Sequence, residues 1–76
     1  MTVAPFVTIY STTPNTVTWD VYSWCTTHTV SADYLARRKA HLVRTGGNDQ
    51  GRVAVMDHML DESQIDTLIA AIKAGA

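Results

Sequence analysis

Val17-Thr18-Trp19-Asp20-Val21-Tyr22-Ser23-Trp24-Cys25-Thr26-Thr27-His28-Thr29-Val30-Ser31-Ala32-Asp33 is the stretch in which one periodicity gives way to another. Val17, Trp19 and Val21 alternate with Thr18, Asp20 and Tyr22, the two-residue repeat of a strand with one buried face. From Ser31 onward the repeat is helical, with Ser31 suited to the N-cap and Asp33 to the first turn. A strand followed by a helix defines an α/β unit, and Trp24-Cys25-Thr26-Thr27-His28 occupies the junction. Such junctions converge on a concave, dipole-positive spot where chemistry is commonly placed.

Upstream, Val3 to Ser11 alternates in the same way, with Phe6, Thr8 and Tyr10 on one face and Val7 and Ile9 on the other. Pro5 lacks an N–H and restricts that end to an edge or a strand start. Thr12-Thr13-Pro14-Asn15 reads as a turn, so the first two strands form an antiparallel hairpin. Downstream, the helix runs to about Arg44 and stops at Gly46-Gly47. Leu35, Leu42, Val43, Ala32, Ala36 and Ala40 share an apolar arc expected to pack on the sheet. Tyr34, Arg37, Arg38, His41 and Arg44 form the opposite, outward arc.

Gly46 to Gly51 reads as a flexible loop without a hydrophobe to pin it. Arg52 to Met56 reads as a third strand, and continuous Val53-Ala54-Val55-Met56 predicts burial on both faces. The last element is the best specified: Asp61 and Gln64 make a capping box, Leu60 and Ile65 a hydrophobic staple. Ile65, Leu68, Ile69 and Ile72 follow at helical spacing, with Lys73 and Gly75 as exit signals. The expected fold is α+β, order β-β-α-β-α, with helices on one face of a three-stranded sheet in a single domain, residues 1–76.

Composition bounds the function. A chain of 8.3 kDa should fold to roughly 4,600 Å² of accessible surface, burying about 60% of its extended surface. Yet 46% of the residues are hydrophobic, more than so small a core should hide. Trp19, Tyr22, Trp24, Met56 and Met59 are therefore candidates for an interface, with Tyr34, Arg37, Arg38, His41 and Arg44 as a second candidate surface. The net charge of −1 and pI near 6.2 do not suggest a nucleic-acid binder. No apolar run is long enough to span a bilayer, no basic leader region opens the chain, and one cysteine fits a reducing compartment. The expected location is the cytoplasm, or a particle assembled there.

Trp24-Cys25-Thr26-Thr27-His28 closing a strand resembles the thioredoxin family, whose motif is W-C-x-x-C. The resemblance covers residues 1–60 and implies a reactive thiol at Cys25, near His28 and a helix start. His28 stands at the second cysteine, which excludes a dithiol cycle. No proline after the motif could serve as the family's cis-proline, and no closing hairpin is evident. A zinc site would need His41, His58 or Asp57 to complete Cys25 and His28, and a second tight ligand pair is missing. Asp57 and His58, as strand neighbours, point to opposite faces and form no dyad. No metal or cofactor is expected.

The sequence-level expectation is a non-catalytic protein acting by protein–protein contact or assembly, either with a partner or with itself as a homo-oligomer. A structural or accessory component of a phage-like virion is one form of that reading. A degenerate thioredoxin-like protein with one active thiol is the first alternative. A small regulator gripping an acidic or nucleic-acid surface through Arg37, Arg38 and Arg44 is the second.

Overall fold

The computed structural model describes residues 7–21 and 27–75. Tyr22, Trp24 and Cys25 lie outside the described residues, as does the Val3–Phe6 part of the expected first strand. Strand β1 spans Val7–Thr13 and β2 spans Thr16–Val21, paired antiparallel through the tight turn at Pro14-Asn15. Their register shifts between Ile9 and Ser11, a bulge at Tyr10 on the sheet edge. A third strand, β3 (His28–Ser31), pairs antiparallel on the other side of β2. The sheet order β1-β2-β3 makes β2 central, and with the last helix packed on it Val17, Trp19 and Val21 are all buried.

The fold is α+β, as expected, and the sheet has three strands, but the third is not the expected segment. His28–Ser31 carries a single buried hydrophobe, Val30, and has too few residues for a visible alternation. The expected third strand pairs elsewhere. Here β4 (Val53–Val55) and β5 (His58–Leu60) form a separate two-stranded antiparallel hairpin. Met56 adopts a left-handed φ of 56° and starts the reversal, a conformation that a long side chain normally avoids. Val53 and Val55 are buried while Ala54 is exposed. The predicted burial on both faces is therefore corrected to a one-faced strand.

Helix α1 (Ala32–Thr45) follows β3 without a loop. Ser31 is both the last strand residue and the N-cap, its Oγ accepting the Tyr34 N–H at 3.1 Å. The Ala32 N–H donates to the Asn15 carbonyl at 3.0 Å, fastening the junction to the β1–β2 turn. Gly46 ends the helix in the left-handed region (φ 79°), its N–H donating to Leu42 O at 2.8 Å. At Gly47 a Cβ would lie 2.6 Å from Leu42 Cδ1 and 2.7 Å from Arg52 O, so nothing larger fits. The following loop is organised rather than loose, because Asn48 Oδ1 accepts from the N–H groups of Gln50 and Arg52.

Helix α2 (Glu62–Gly75) begins as its capping box demands. Asp61 Oδ1 accepts the Gln64 N–H at 2.9 Å, and Gln64 Oε1 accepts the Asp61 N–H at 2.8 Å. Leu60 and Ile65, the staple pair, are both fully buried. Asp61→Ala should lower stability by about 1 kcal/mol through the lost cap, readable as a shift in urea midpoint; an unchanged midpoint would count against the cap.

Helix α2 packs on β1 and β2, α1 packs on β3 and β4, and the helices touch each other. Among the described residues the core is one cluster of twelve, centred on Val17, Trp19, Leu35, Val55, Leu60, Ile65 and Leu68. The apolar arc of α1 is only partly used. Leu35 and Leu42 are buried, whereas Ala36, Ala40 and Val43 are exposed, Val43 by 66%. The arc is wider than the surface the sheet can cover, and its far flank turns toward α2.

Candidate functional site

Two features stand out, a polar ring cluster inside the fold and an apolar groove outside it. The cluster is built on β2. Trp19, fully buried, faces its cross-strand partner His28 on β3, and β5 brings His58 to the same place. Ring centroids are 5.7 Å apart for Trp19–His28, 5.4 Å for Trp19–His58 and 5.2 Å for His28–His58. Beside them Asp20 is fully buried; its Oδ1 accepts the Val21 N–H at 2.7 Å and lies 3.7 Å from His58 Nε2. Trp19 Nε1, Asp20 Oδ2, His28 Nε2 and His58 Nε2 are buried without hydrogen-bond partners. Such atoms each carry a desolvation cost, and four in one place is unusual.

Trp19 is thus a core residue and not the exposed interface residue expected. The inward face of β2 is covered by helix α2 and by His58 of the β4–β5 hairpin, which closes off solvent at Trp19. Asp20, expected on the polar outward face, is buried too and was missed as a site residue. The only signal at its position was an acidic residue between Trp19 and Val21. His28 meets His58 rather than His41, which lies on the outer arc of α1. Asp57 falls in the turn after Met56. Among the described residues no group of three or more His, Cys, Asp or Glu side chains could hold a metal ion.

The basic arc of α1 is divided by the β4–β5 hairpin, which corrects the expectation that it faces wholly outward. Arg38 Nε donates to Ala54 O at 2.9 Å, and the Met56 N–H donates to the Tyr34 hydroxyl at 3.2 Å. Tyr34 and Arg38 therefore brace the hairpin. Arg37 is exposed and sits 3.4 Å from Asp33, one turn back. Arg44 donates to His41 Nδ1 at 3.2 Å when that nitrogen is the acceptor. Met56 and Met59 are exposed on the hairpin, as are Ile9 and Tyr10 on β1.

The groove lies between the helices and has a volume of about 860 Å³. Its floor is Ala32, Ala36, Ala40, Val43, Ile69 and Ala70, and its rim is Lys39, Arg44, Asp66 and Lys73. Lys39 Nζ meets Asp66 Oδ1 at 2.7 Å across it, tying the helices together. The hydrogen bond to the Asp66 carboxylate holds the Lys39 ammonium above its ordinary value of 10.5. Lys39 therefore keeps its charge throughout the neutral range and loses its proton only as pH rises beyond that value. Of the groove residues, periodicity marks Ala32, Ala36, Ala40, Val43 and Ile69 as core and only Arg44 as a contact residue, while Ala70 has no assignment.

No protein-family model, curated protein or solved structure matches this chain. Among the described residues no helix is long and apolar enough to cross a membrane.

Proposed function

We propose that this protein is a non-catalytic binding module that engages another protein through the α1–α2 face. One observation carries the reading: a broad groove whose floor is apolar, on the outside of the fold, with Val43 two-thirds exposed. Apolar surface gains free energy when a partner removes it from water, which makes this groove the contact-site candidate of the fold. Helix pairs present ridges and grooves that accept a further helix, and the alanines of this floor allow close approach.

Val43→Arg tests the reading. The position is exposed, so the fold should survive, as judged by an unchanged thermal transition. A partner captured by the wild-type chain from its source cells should be lost by at least about tenfold in the variant, since a cation is forced onto an apolar floor. Arg37→Ser, away from the groove, should retain it. Equal capture by all three chains would overturn the reading.

A further inference from the structure

We infer that the groove takes an amphipathic helix of a different protein, one bearing carboxylates at both ends of its apolar stripe. The inference rests on the groove being the contact site and adds the chemistry of its occupant. The helices run antiparallel: α1 starts at the β1–β2 turn, where Ala32 is bonded to Asn15, and α2 ends there, where Gly75 abuts Thr12. Lys73 therefore sits at the Ala32 end of the groove, and Arg44 at the other.

At a rise of about 1.5 Å per residue, Ala32 to Arg44 spans about 18 Å. Between those ends Lys39 and Asp66 neutralise each other. Glu62 also acts on Lys39 but does not line the groove. The rim is left with one cation at each end, neither in an ion pair with a carboxylate among the described residues.

A second copy of this chain is a poor fit to that pattern. Two such faces laid together would bring four uncompensated rim cations into one contact, and like charges across an interface select against the pairing. An opposing helix with carboxylates at positions i and i+11 matches it. Those positions share a helix face and lie about 16 Å apart, within reach of the flexible Arg44 and Lys73 side chains. Alanine and leucine between them would fill the floor.

The probe is a synthetic helical peptide with an Ala/Leu stripe and Glu at i and i+11, titrated against the intact ¹⁵N-labelled chain at low salt. A second peptide carries Lys at both positions, and the protein is also sedimented alone over a wide concentration range. The expected result is amide shifts confined to α1 and α2, with the Glu peptide binding at least about tenfold tighter than the Lys peptide. Arg44→Glu with Lys73→Glu should reverse that preference, which loss of fold could not do. Equal binding of both peptides, lost in Val43→Arg, would sink the acidic occupant and leave the groove reading standing. Shifts in neither helix with either peptide would remove the groove reading itself. Concentration-dependent dimers with shifts in the same helices would make a second copy the occupant and overturn the inference.

Discussion

Trp19→Ala is expected to lower the stability of the fold by about 3–5 kcal/mol. The side chain is fully buried at the middle of the central strand, among the largest side chains in the core. Large aromatic deletions in a core typically cost about 3–5 kcal/mol, the transfer loss plus the cavity left behind. A chain of this length has a total stability of only about 4–11 kcal/mol. The loss is a large fraction of the whole. The alanine would also strip His28 and His58 of the ring both pack against. Urea titration followed by far-UV circular dichroism reads the outcome. An unfolding free energy within about 1 kcal/mol of wild type would mean that β2 is not the keystone of this core.

Asp20→Asn is expected to act in the opposite direction, raising stability by about 1–3 kcal/mol at neutral pH. A buried carboxylate lacking its full set of donors is among the costliest groups a core can hold. Asp20 has one oxygen bonded to the Val21 N–H and the other bonded to nothing. The amide is nearly isosteric, keeps an acceptor for Val21, and removes the charge. A higher melting temperature with unchanged circular dichroism is the expected record. A fall in stability would overturn this prediction. His58→Gln in the same assay would then separate loss of a pairing with the imidazole at 3.7 Å from the cost of the amide's buried N–H donors.

How much of this fold is legible in the residue order depends on the range of each signal. The start of α2 reads correctly because a capping box is settled within four residues, Asp61 to Gln64. The β1–β2 hairpin reads correctly because both alternations are long and the connection is short. Strand β3 does not, since four residues with one inward hydrophobe give no period. The β4–β5 reversal hides because Met56 takes a left-handed conformation where Gly or Asn would have announced a turn. The candidate groove is hidden for a different reason. Periodicity gives the width of the apolar arc on α1, from Ala40 round to Leu42, but not the angle at which the sheet stops covering it. Asp20 is similar: alternation assigns it a face, while its burial depends on elements distant in sequence.

The absence of any loop between β3 and α1 gives the molecule a built-in lever with an optical read-out. Ser31 belongs to both elements, so α1 cannot tilt without dragging the strand that carries His28. His28 lies against the Trp19 ring, and indole emission is sensitive to a neighbouring imidazole. A ligand in the α1–α2 groove that tilted α1 would therefore shift the surroundings of a chromophore that it never touches. With Trp24→Phe leaving Trp19 as the single tryptophan, the colour and intensity of its emission become a gauge of occupancy that needs no label.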